Sequence, residues 1–105
     1  MATGNAPVLE ALTELNAVSL IRTDLDARSL MLVRLAALAA VDAPAASYLL
    51  HVGPSIEAGL TVEDAEDVLV AVAPIVGAPR TAAAAAKISE ALDVAIEVAL
   101  EEPEQ

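Results

Sequence analysis

The sequence predicts an all-α fold, a compact bundle of about five helices assembled as a homo-oligomer. Apolar residues recur at three-to-four spacing through every long segment, and no segment keeps the strict alternation of a strand. Prolines and glycines fall where helices would start and stop. The third observation is compositional: 57% of the residues are hydrophobic but only one is aromatic, against about 45–50% apolar in an ordinary domain. Most of that apolar content is Ala, Leu and Val.

Taken in order, Met1 to Ala6 read as a flexible tail. A first helix begins at Pro7, whose missing N–H costs nothing in a first turn. Leu9, Leu12, Leu15 and Val18 form its stripe, and it fades near Leu20 to Thr23. Asp26 is the best N-cap for a second helix, because its carboxylate can accept free first-turn N–H groups. After Arg34 this helix is apolar on every face, which predicts a central, fully packed position. Asp42-Ala43-Pro44 should end it, since a residue before proline is pushed out of the α region.

The third helix opens at Pro44 and should kink or break at Gly53-Pro54, where the proline removes a hydrogen bond to the carbonyl of Leu50. Gly59 is its stop signal. Thr61 and Asp64 have the spacing of a capping box for a fourth helix, with Val62, Ala65, Val68, Leu69 and Val72 as the buried stripe. Pro74 and Gly77 close or kink it. Pro79 starts the last helix, with Ala84, Ile88, Leu92, Ala95 and Ala99 inward and Glu90, Asp93, Glu97 and Glu101 outward. The terminal EEPEQ frays.

A chain of 105 residues has room for one core, so residues 1–105 form a single domain. Five Lys+Arg against sixteen Asp+Glu give a net charge of -11, which repels nucleic acid and anionic membranes alike. With no cysteine, thiol redox chemistry and thiolate-bound metals are excluded. One histidine argues against an imidazole metal site, and no cofactor is indicated. No run of about 18 residues lacks charge, so no membrane helix is expected. The N-terminus lacks a basic region followed by an apolar run, and the expected location is cytoplasmic. What then explains the apolar excess is self-association, because too few polar residues remain to coat a small monomer.

The rare residues cluster in Asp42–Thr61, DAPAASYLLHVGPSIEAGLT, which holds the only histidine and the only tyrosine. Together with the segments around it, this stretch resembles the carboxymuconolactone decarboxylase family, which includes the alkylhydroperoxidase D-like proteins. The resemblance rests on Leu25-Asp26 before an Arg-containing helix and on His51 eight residues before Gly59. Gly59-Leu60-Thr61 followed by acids, and Gly77 with Pro79, complete it over roughly residues 24–92. It implies an all-helical domain assembled as trimers or hexamers. The peroxidase branch has a Cys-x-x-Cys pair whose positions fall here on Pro44 and Ser47, and a relay glutamate whose position falls on Leu32. Of that relay only His51 remains, so peroxidase chemistry is excluded.

His51 is the candidate catalytic residue, since imidazoles exchange protons near neutral pH. Against this stands a histidine merely packed in a helical core or a subunit interface. Ser47, one turn earlier, could bond to it as a nucleophile would, although helical serines more often bond a carbonyl one turn back. Tyr48 could line a ligand pocket or simply pack. Arg34 and Arg80 could bind the carboxylate of a substrate or sit in ion pairs. Glu63, Asp64, Glu66 and Asp67 make a solvated helix start that requires no metal. Two readings follow. One is a non-catalytic or ligand-binding oligomer for a small carboxylate or carbonyl compound. The other is a decarboxylase or lactone-type enzyme using His51 as general acid/base.

Overall fold

Helix α1 (Ala6–Arg22) carries Pro7 in its first turn and ends against Thr23. It belongs to a computed structural model that describes residues 5–101 of the chain. The tail expected over Met1 to Ala6 and the fraying expected in EEPEQ therefore lie largely outside the described residues. Four further helices follow: α2 (Ala27–Ala40), α3 (Ala45–Glu57), α4 (Val62–Val76) and α5 (Ala78–Glu101). Among the described residues there is no strand.

Local chemistry accounts for the helix ends. Asp26 caps α2 by accepting from the Ser29 N–H at 2.7 Å, a bond that lowers its pKa. Helix α2 stops before Pro44 can act. Asp42 adopts a left-handed backbone, φ 56°, and the N–H groups of Asp42 and Ala43 turn back to the carbonyls of Ala39 and Leu38, which is a Schellman close. Gly59, at φ 87°, does the same for α3, with bonds to Ile56 and Ser55. Thr61 and Asp64 form the capping box of α4.

Of the kink or break expected at Gly53-Pro54 the break is absent, and α4 closes at Gly77 as expected. Helix α3 runs unbroken through Gly53-Pro54, and α4 through Pro74. In α3 the proline sits on the outer face, where Leu50, Gly53 and Pro54 are all exposed, so water can serve the carbonyl that loses its partner.

The core lies where α2, α3, α4 and α5 meet, α5 crossing the other three. Ala39, Ala43, Tyr48, Leu69, Ala84 and Ala91 are buried there, with Leu35, Leu38, Leu49, Val52 and Ile88 packed around them. Four of the six are alanines, so the helix backbones approach closely, and Tyr48 is the largest side chain among them. Helix α2 is not packed on every face as expected. Only Leu30, Met31 and Ala39 are buried and Val33 is 53% exposed, because α1 does not cover its outer side.

Helix α1 stands apart. It packs against no other helix, and none of its residues is buried. Its polar link to the body is Arg34, which donates to Asn16 Oδ1 at 2.6 Å and Ser19 Oγ at 3.0 Å.

Candidate functional site

His51 sits in the middle of α3, half-buried, with Nδ1 2.8 Å from the carbonyl oxygen of Ser47. Helical side chains lean toward the N-terminus, so the ring of residue 51 meets the carbonyl one turn back. A carbonyl oxygen can only accept, which places a proton on Nδ1 and leaves Nε2 of the neutral ring as a hydrogen-bond acceptor and base. Nε2 has no hydrogen-bond partner among the described residues.

The ring borders a cavity of about 170 Å³ between α3, α4 and α5. Val52, Ser55 and Ile56 continue the α3 wall, and Leu35 of α2 contributes one side. Leu60 to Val62 and Ala65 form a second wall, and Ile88, Ala91 and Leu92 of α5 form the third. The lining is mostly aliphatic, with Ser55 and Thr61 beside Tyr48 and His51, and no Lys or Arg borders it. An apolar cavity of roughly 150 Å³ is enough for a benzene-sized molecule.

The structure separates the other candidates. The Tyr48 ring borders the cavity, but its hydroxyl is shut off from solvent and has no hydrogen-bond partner. Burial, and after it the charge of Asp42, push the phenol pKa up. Ser47 is outside the cavity lining, and it meets His51 through its carbonyl rather than its hydroxyl. Arg34 holds α1. Arg80 donates to the Ala40 carbonyl at the end of α2, at 2.7 Å. Among the described residues neither arginine is ion-paired, because each donates to neutral acceptors at a helix flank or end.

The ion pairs lie elsewhere. Arg28 grips Asp64 with two bonds of 2.7 and 3.1 Å and also donates to the Gly59 carbonyl at 3.2 Å. That clamp ties α2 to the corner joining α3 and α4, next to the wall formed by Leu60 and Thr61. Arg28 first, then the Thr61 N–H, lower the Asp64 pKa from 3.8 to about 2. Lys87 pairs with Asp42 at 2.8 Å, fixing α5 to the turn before α3. No group of three or more metal-ligating side chains occurs among the described residues.

Sequence reasoning missed Arg28 and Ala91, while Ile88 and Leu92 of the α5 wall lie on the face expected inward. Arg28 and Asp64 are 36 positions apart, beyond any local pattern. Ala84, Ile88 and Ala91 do share one helical face, which was the available signal for Ala91.

A profile of the carboxymuconolactone decarboxylase family matches residues 6–98. The chain belongs to the carboxymuconolactone decarboxylase family. The match takes in α1, which lies outside the residues that carried the sequence resemblance. As a family member without cysteine, it lacks the sulfur chemistry of the peroxidase branch. Comparison with curated proteins and with solved structures returns no match. Among the described residues no helix is long and apolar enough to cross a membrane.

Proposed function

We propose that this family member is a ligand-binding homo-oligomer, trimeric or hexameric and cytoplasmic, whose His51 cavity takes a small uncharged molecule. The observation that carries this reading is an acceptor nitrogen without a protein partner beside an aliphatic cavity. Such a site pairs a hydrophobic ligand body with one hydrogen-bond donor, an alcohol or a phenol. A small carboxylate fits less well. Its charge would lose water without meeting a cation, which costs several kcal/mol, on the order of the desolvation of any unpaired buried ion.

The test uses phenol and benzoate as matched probes. Titration of phenol should shift the ¹⁵N resonance of His51 Nε2 and raise the melting temperature, while benzoate at equal concentration should do neither. Ala65→Leu, which fills the cavity without touching His51, should abolish the phenol response. An Nε2 resonance unmoved by millimolar phenol would refute the reading.

A second reading, general acid/base catalysis at His51, draws support from the same fixed tautomer, which leaves a basic nitrogen beside the cavity. Turnover of a small lactone that disappears in His51→Gln, with assembly unchanged, would favour it over binding alone.

A further inference from the structure

We infer that the N-terminal half of α1 docks in the groove between α4 and α5 of a second copy of this chain. The inference rests on the reading that the chain self-associates, and it names the two surfaces that do so.

The first support is the state of α1. In proteins a helix draws most of its stability from packing an apolar face, and α1 packs against no other helix of its own protomer. Arg34 holds only its second half, at Asn16 and Ser19. Before that hold, Val8, Leu12 and Leu15 follow one another at i, i+4 and i+7 and remain 57, 55 and 66% exposed. That is the anchor spacing of a helix that lies in a groove. Glu10 and Glu14 fall on the opposite side of the helix, so the anchor face brings no carboxylate against an already acidic partner.

The second support is area. The protomer exposes 7402 Å², whereas a folded monomer of 10.7 kDa is expected to expose about 5,500 Å². Its radius of gyration is 14.9 Å, against about 13 Å for a compact chain of this length. The excess surface is of the order that a stable subunit interface buries.

The third is the shape of the recipient. An open groove of about 540 Å³ runs between α4 and α5. One side is the α4 row Glu66, Val70 and Ala73, and the other is the α5 row Ala78, Ala82 and Ala85. Each row has the same i, i+4, i+7 spacing as the α1 anchors, so all three cover about 10 Å of helix axis. Leu69 closes the floor at 7% exposure, while Val70 is 73% exposed on the rim. The His51 cavity, at about 170 Å³, is too small to receive a helix.

The chain has no cysteine, so introduced thiols report cleanly. The test makes the full-length double variant Leu12→Cys/Ala82→Cys and treats it with a short bis-maleimide. Each single variant and the pair Leu12→Cys/Ile56→Cys, at the mouth of the His51 cavity, serve as comparisons. The expected result is a covalent ladder of dimers and higher species from Leu12→Cys/Ala82→Cys alone. In parallel, Leu12→Glu/Leu15→Glu should weaken assembly at least about 100-fold with the helical content of α2 to α5 retained. Cross-linking by Leu12→Cys alone, which would mean α1 pairing with α1, overturns the docking. So does cross-linking with Ile56→Cys in place of Ala82→Cys, or a cross-link that stays within one chain. An assembled protein with no cross-link from Leu12→Cys/Ala82→Cys overturns this docking but leaves self-association standing. A monomeric wild-type chain by light scattering overturns both.

Discussion

At the scale of single residues, Tyr48 and His51 show how two polar groups on one helix face meet different fates. His51 bonds back to its own helix and keeps one nitrogen without a partner among the described residues. Tyr48 is the largest core side chain, yet its hydroxyl is buried without a partner. An unsatisfied buried hydroxyl costs about 1–3 kcal/mol. Tyr48→Phe should therefore raise the unfolding free energy by about 1 kcal/mol in urea titrations. A loss of stability would instead show that the hydroxyl gains a partner in the assembled protein. The pH dependence has a definite sign. The phenol pKa is higher in the folded than in the unfolded chain, so its contribution is intact below the ordinary value of 10.0 and is lost as pH rises past it. The Phe variant should unfold less readily than the parent in strong alkali.

At the scale of elements, the corner between α3 and α4 is held by the Thr61–Asp64 capping box and by Arg28. Thr61→Ala removes the side-chain acceptor for the Asp64 N–H and should cost about 1 kcal/mol of stability, measured by thermal or urea unfolding. Asp64 titrates at about 2 in the folded chain, below its ordinary 3.8. A depressed carboxylate pKa stabilises the fold at pH values above the ordinary one, and that stabilisation is lost as pH falls from about 4 to about 2. Arg28→Gln should raise the Asp64 pKa, read from its carboxyl ¹³C shift, and move acid unfolding to higher pH. Arg34 plays the matching part for α1. Arg34→Ala should speed hydrogen exchange in α1 while leaving α2 to α5 protected.

At the scale of the whole molecule, the open question for stability is how the apolar surface is covered. Exposed Leu, Ile and Val side chains occur on α1, on Val33 of α2 and on Ile75 of α4, apolar surface of the kind that interaction sites present. In the proposed assembly, chains that each carry a net charge of -11 would repel one another. Salt screens that repulsion. Assembly should therefore tighten between low and moderate ionic strength, which light scattering across a salt series can check. Weakening with added salt would show that attractive ion pairs, rather than apolar burial, dominate the interface.

Much of the architecture was legible in the residues themselves. Helix periodicity, Asp26 as a cap, the Thr61–Asp64 box and the stop at Gly59 are interactions within a few positions, so local spacing determines them. The same holds for what the composition forbids, since a chain without cysteine has no thiol chemistry in any fold. The tertiary structure decided what depends on separation in sequence. It left Arg34 and Arg80 away from His51 and joined Arg28 to Asp64 across 36 positions. It also placed α5 as the far wall of the cavity. Pro54 marks the boundary between the two kinds of information: its sequence signal is a helix kink or break, and exposure to water on the outer face of α3 lets the helix continue without the break. A local pattern states which hydrogen bond is lost; only packing determines whether solvent is there to replace it.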